Sequence, residues 1–316
     1  MIFVWIAAAL AALYLIFIVG PAIVAFFKVF ERKDCPPLDE IDLASTSYAP
    51  CAELLLERYA RMKAEPSEDV VLTALDGTEL HAMLYARGNG RLAVLAHGYR
   101  SAPLNSFCTQ ASDLLDGGFD VLLIWQRAHG PSGGVRSSLG IWESRDLLSW
   151  LDWADERYGE VLVCGVSMGS AAAAYASTEF PASVGAMVLD SGFISPRAQL
   201  MSDCAKRHIP GRLVVPIIEL IARIFLGIRL DEPTTRYLAR TKTPALFIHG
   251  EADLSVPFES GKIAYAVCAS EKDAYFLPGA GHILCYPAGG EEAKARLFGF
   301  IDKYFQINNL KGESHE

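Results

Sequence analysis

Residues 1–27 contain no charged side chain, and the first to appear is Lys28. An apolar run of about 20 residues is long enough to cross a bilayer, so an ordinary solvated N-terminal segment is excluded. No Lys or Arg precedes the run. It is also longer than the apolar region of a cleaved leader, which argues against a signal peptide. We therefore expect an uncleaved single-pass anchor over residues 1–27, kinked or cut short at Gly20-Pro21. Lys28, Arg32 and Lys33 follow it, and the positive-inside rule then places the remainder of the chain in the cytoplasm. Paired cysteines are missing too. The seven, at 35, 51, 108, 164, 204, 268 and 285, are odd in number and scattered. That pattern excludes a disulfide framework and the ligand spacing of a zinc site. No Lys/Arg-rich run occurs and the net charge is −9, so nucleic acid is excluded as a partner. Neither a helix-opening G-x-G-x-x-G nor a P-loop lysine is present, so the glycines of the 127–134 loop border a cleft rather than cradle a phosphate.

What is present is a large apolar complement. Hydrophobic residues make up 52% and charged residues 21%, which supports a sizeable core. Residues 28–68 read as a juxtamembrane linker, broken by Cys35-Pro36-Pro37, and a helix over 52–64. From residue 69 to 306 the pattern becomes that of an α/β domain. Strands are expected at 70–72, 80–85, 92–96, 121–125, 161–164, 186–189, 245–248 and 274–277, with Asp76-Gly77 as a hairpin turn between the first two. Helical patterns at 105–115, 141–158 and 291–304 lie between and after them. Repeated βα units imply a mostly parallel eight-stranded sheet with helices on both faces. Residues 191–242 carry no strand pattern, and such a long interruption reads as an inserted helical cap. Within it, 213–230 is apolar but holds Glu219, Arg223 and Arg229, which suits an amphipathic helix over the site or on a membrane surface. Residues 307–316 read as a polar tail.

The chemistry centres on Gly165-Val166-Ser167-Met168-Gly169. This G-x-S-x-G follows the apolar run 161–164 and precedes a small-residue run. Strand, tight turn and helix are the context of a nucleophile elbow, which exposes the Ser167 hydroxyl above the sheet. A serine nucleophile needs a base, the base needs an orienting carboxylate, and the oxyanion needs backbone donors. In this topology acid and histidine follow the serine at later strand ends. Of the seven histidines only His282 and His315 lie late enough, and His315 is in the tail. His282, in Pro278-Gly279-Ala280-Gly281-His282, is the expected base. Asp253 follows the strand at 245–248 and is preferred as the acid. Asp190, at the end of the preceding strand, is its rival. The oxyanion donors are expected from the N–H groups of Met168 and of Tyr99, in His97-Gly98-Tyr99. His97, Gly98 and Arg127 are expected around the binding cleft, His97 bracing its loop. No metal or cofactor is called for.

These segments together resemble the α/β-hydrolase superfamily over residues 69–306. The resemblance rests on His97-Gly98-Tyr99, the 127–132 loop, Gly165 to Gly169, Asp253 and Gly281-His282. It is nearest to membrane-anchored bacterial hydrolases similar to serine-aminopeptidase-like and cinnamoyl-esterase-like members. Where relatives often carry Asp before the arginine loop, this chain has Gln126. The resemblance implies hydrolysis of esters, amides or thioesters without fixing a substrate. The expected activity is carboxylic-ester hydrolysis through an acyl-enzyme on a small-molecule or lipid-like acyl substrate. A peptidase, an acyl thioesterase or lipase, and a non-catalytic membrane-bound interaction module are the alternatives.

Overall fold

A computed structural model describes residues 1–305. The expected polar tail and His315 lie outside the described residues. Ile2–Phe30 is one continuous helix. It comprises α1 (Ile2–Tyr14), a π-helical turn (Leu15–Val19) and α2 (Gly20–Phe30). Pro21 does not end it: Val19 and Gly20 keep right-handed helical dihedrals, and the π-helical turn just before the proline accommodates its missing N–H. Short 3₁₀ turns lead from it to α3 (Ala52–Ala64). The α/β part then runs β1 (Glu68–Thr73), β2 (Glu79–Tyr85), β3 (Arg91–Ala96), α4 (Pro103–Asp116), β4 (Asp120–Ile124), α5 (Ile141–Asp155), β5 (Glu160–Val166), α6 (Met168–Ala176) and β6 (Val184–Asp190). Three helices follow, α7 (Pro196–Lys206), α8 (Gly211–Phe225) and α9 (Thr235–Leu238). The chain returns through β7 (Ala245–Gly250), α10 (Phe258–Val267), β8 (Lys272–Leu277) and α11 (Cys285–Tyr304).

The eight strands form one sheet in the order β1-β2-β4-β3-β5-β6-β7-β8. The β1–β2 and β2–β4 pairs are antiparallel and the rest are parallel. Successive side chains of the central strands enter opposite cores. Ala93, Leu95, Leu162 and Cys164 join α3, α4 and α11 on one face. Leu92, Val94, Val161 and Val163 join α5, α6 and α10 on the other. Burial on both faces explains why these strands read as continuous apolar runs rather than alternating ones. All seven cysteines are free, and the sheet cysteine, Cys164, is a small apolar filler.

Two helix boundaries differ most from expectation. Helix α11 begins at Cys285 rather than near 291, and Gly290 breaks its regular geometry at φ 52°. The periodic pattern was legible only beyond that kink. In the cap, α8 stops at Phe225 rather than running to 230. A third core joins this cap to the N-terminal helix. Ala22, Phe26 and Phe30 are fully buried against Val214, Val215, Ile218 and Ala222 of α8. Full burial of each phenylalanine contributes about 1.5–3 kcal/mol, so the C-terminal part of this helix is an integral element of the fold. Hydrogen bonds reinforce the docking: Ser137 N–H donates to Phe30 O at 2.9 Å, and the Arg32 guanidinium donates to Ser132 O at 2.9 Å and to Gly130 O.

Candidate active site

Parallel strands β5, β6, β7 and β8 end on the same edge of the sheet, and the polar residues singled out above gather there. Ser167 sits between β5 and α6 at φ 52° and ψ −112°, a strained backbone conformation that costs on the order of 1–3 kcal/mol. The two flanking glycines permit it. A Cβ on Gly169 would collide with the Ala96 carbonyl, and one on Gly165 with the Gly169 carbonyl. Ser167 N–H donates to Asp190 O at 2.8 Å, tying the turn to β6.

His282 follows β8 and approaches the serine. Its Nε2 lies 3.1 Å from Ser167 Oγ, and its Nδ1 lies 2.7 Å from Asp253 Oδ2. With Nδ1–H donating to the carboxylate, the Nε2 lone pair is left to accept the serine proton. Asp253 is fixed from three sides. Its Oδ1 accepts the N–H groups of Ser255 at 2.7 Å and Val256 at 2.8 Å. Its Oδ2 also lies 3.3 Å from Nε2 of a second, buried histidine, His249. Burial pushes this carboxyl up, but the bonds from His249 and His282 prevail and hold it well below the usual carboxylate range. The sequence alone assigns His249 no role. Its spacing of four residues was the available signal.

Asp190 makes no hydrogen bond to His282. It is buried, Ser191 Oγ donates to its Oδ1 at 2.8 Å, and its Oδ2 has no partner. Burial raises it to about 6. That lies above the roughly 3.9 of an unfolded aspartate, so the native state holds the proton more tightly. The resulting stabilisation is complete below about pH 4 and is lost as pH rises through about 6. Asp190→Asn is therefore expected to raise the unfolding free energy from urea titration at about pH 8 by roughly 2–3 kcal/mol, with no gain at about pH 4. A gain independent of pH would refute a buried, titrating Asp190.

The loop of Tyr99 lies against the nucleophile. A Cβ on Gly98 would stand 3.5 Å from Ser167 Cβ. His97 is fully buried and braces this loop, donating from Nδ1 to Gly98 O at 2.8 Å and accepting Gln126 N–H at Nε2 at 3.1 Å. Gln126 also donates from its side chain to His97 O and so helps hold the loop. Met168 opens α6, where the first N–H groups have no intrahelical acceptor. Arg127 is not brought to the cleft. Its guanidinium is buried on Asp146, at 2.6 and 2.5 Å, and on Asp76 at 2.9 Å.

Above Ser167 and His282 opens a cleft of about 890 Å³. The cap supplies Phe193, Val214 and Ile218, and the N-terminal helix supplies Ala25, Lys28 and Val29. Tyr99 joins the two, since its hydroxyl donates to Val29 O at 2.6 Å. No local sequence signal linked the first 30 residues to the site.

Residues 89–225 match the family described as serine aminopeptidase, S33. The uncharacterized protein YqkD of Bacillus subtilis (strain 168) is 26% identical over 215 residues, 66% of this chain and 70% of that protein. The esterase Pf2001 of Pyrococcus furiosus superposes with a TM-score of 0.66 at 22% identity, over 78% of this chain and 94% of its own. A structure described as a membrane phospholipase A, a bacterial virulence factor, superposes with a TM-score of 0.59 at 17% identity, over 81% of this chain and 93% of its own. At these identities the solved structures speak to the fold, while the family match adds sequence around the serine. The chain therefore has the α/β-hydrolase fold, and its sequence around the serine is similar to that of the serine aminopeptidase family.

Proposed function

We propose that the chain is a membrane-anchored serine hydrolase that cleaves carboxylic esters of lipid-like acyl substrates. The observation that carries this is the unbroken relay from Ser167 Oγ through His282 to Asp253 on the floor of an 890 Å³ cleft. Ser167 Oγ attacks the acyl carbon while His282 Nε2 takes its proton. The N–H groups of Met168 and Tyr99 hold the oxyanion. Collapse expels the alcohol, which takes the proton from His282, and an acyl-enzyme remains. Water, deprotonated by the same nitrogen, releases the acid. Ile2–Phe30 is the anchor, with Lys28, Arg32 and Lys33 on the cytoplasmic side.

The family description favours a second reading, cleavage of an aminoacyl amide. The cleft speaks against it. Its wall carries Lys28, Arg100, Lys206 and Arg207 against one carboxylate, Asp203. A substrate with a free ammonium group would meet repulsion there, whereas a neutral or anionic ester would not. A fluorophosphonate probe is expected to label the folded chain, and Ser167→Ala to remove the label. Folded protein that takes up no label sinks the hydrolase reading. A panel of p-nitrophenyl esters of increasing chain length, run beside aminoacyl amides, separates the two substrate classes.

A further inference from the structure

The cap helix α8 is apolar on more of its circumference than its packing uses. Val214, Val215, Ile218 and Ala222 are buried. On another face, Leu213, Ile217, Leu220 and Ile224 recur at helical spacing and form a second stripe. Leu220 is 59% exposed and Ile224 68%. Arg212, Glu219 and Arg223 lie along a third line, seven and then four residues apart. Glu219 is paired with Arg197 at 3.2 Å. Arg212 and Arg223 are exposed and have no carboxylate partner among the described residues.

The position of α8 says what covers the second stripe. Helix α8 packs along α2 and reaches back to the Leu15–Val19 turn, and Phe225 meets Phe26 with ring centroids 6.3 Å apart. Nothing in the described chain buries Ile2–Leu15. A span takes about 20 residues, roughly 30 Å at 1.5 Å per residue. Counted from Ile2, that length of hydrocarbon necessarily takes in Leu15–Val19, the turn beside α8. The exposed stripe is thus continuous with the surface a bilayer encloses. The cations of Lys28, Arg207, Arg212 and Arg223 complement anionic headgroups on a chain whose net charge is −9.

We propose that α8 lies in the bilayer interface beside the N-terminal helix. Leu213, Ile217, Leu220 and Ile224 enter the acyl boundary, and Arg212 and Arg223 reach the headgroups. The inference rests on the reading of Ile2–Phe30 as a span. Its consequence is that the catalytic cleft, walled by α2 and α8, opens at the lipid surface, where an ester held by its acyl chain enters without crossing water.

The test uses the full chain reconstituted in vesicles of phosphatidylcholine and phosphatidylglycerol. The environment-sensitive dye NBD is attached at Leu220→Cys, Ile224→Cys or Leu75→Cys, in a background with Cys35→Ser, because the other cysteines are buried. Leu75 lies in the β1–β2 turn and is 92% exposed. Dye at 220 and 224 is expected to emit at shorter wavelength. Lipids carrying a nitroxide near the headgroup should quench it by about half, as for a face sunk about 5–10 Å into the interface. Dye at 75 should report water. Aqueous emission at all three positions, with the chain resisting alkaline carbonate extraction, overturns the placement of α8 alone. Release of the chain by carbonate overturns the anchor reading beneath it. A second measurement avoids the dye. Leu220→Lys/Ile224→Lys is expected to lower kcat/KM about tenfold on a vesicle-borne long-chain ester, while hydrolysis of soluble p-nitrophenyl acetate is unchanged. Equal loss on both substrates contradicts the proposal.

Discussion

Ser167→Ala, His282→Ala and the double variant are each expected to lose about 10⁶-fold in kcat, with the double no worse than either single. The three values coincide because the residues act as a unit. A serine without a base is a poor nucleophile, and a base without the serine has nothing to deprotonate. Asp253→Asn tests the third member differently. Asn retains an oxygen able to accept the Ser255 and Val256 N–H bonds that position residue 253. It would then turn an N–H toward His282 Nδ1, forcing the ring proton onto Nε2, where it faces Ser167 and blocks proton acceptance. A loss of about 10⁴-fold in kcat is expected, without loss of fold. Asp190→Asn is expected to leave kcat close to that of the parent, since the Asp190 carboxyl is hydrogen-bonded to Ser191 and to neither reacting side chain. Turnover of a p-nitrophenyl ester, with unfolding followed on the same samples, checks all five variants. A severe loss in Asp190→Asn beside near-normal turnover in Asp253→Asn would assign the acid to Asp190 instead.

The sheet was readable because its central strands are buried on both faces. Each appears in the sequence as a compact apolar run, such as 92–96, 121–125 and 161–164, bounded by glycine or polar residues. The serine was readable for a related reason. Only glycine tolerates the close approaches at 165 and 169, so the demands of the turn are written into five consecutive residues. Tertiary arrangements left weaker traces. His249, near the end of β7, meets Asp253 only because the turn after the strand folds back over it. The docking of α2 beside the cleft depends on Phe26 and Phe30, which in sequence are two more apolar residues of a membrane-like run. Regular spacing also fails where Gly290 takes a positive φ, and the start of α11 was therefore placed too late.

Arg127 shows why residue type and loop position misled most. An arginine in a glycine-containing loop at a strand end reads equally well as a ligand for substrate or as a brace. The structure buries it, at 7% side-chain exposure against 4% for Asp146. It links three elements: its own loop after β4, Asp146 on α5 and Asp76 in the β1–β2 turn. Its guanidinium also lies over the Trp142 ring, 5.3 Å from the centroid. Arg127→Met leaves the Asp146 carboxylate buried without a counter-charge, and breaking a buried pair in this way costs about 3–5 kcal/mol. The urea midpoint should fall accordingly, while KM of the folded fraction stays near that of the parent. Adding Asp146→Leu should recover much of the loss, because replacing both charges by apolar side chains of similar volume is often close to neutral. A substrate ligand behaves in the opposite way: KM rises, stability holds, and the second substitution rescues nothing. The double-mutant cycle therefore separates the two roles by sign, and a pair worth several kcal/mol lies well above its error.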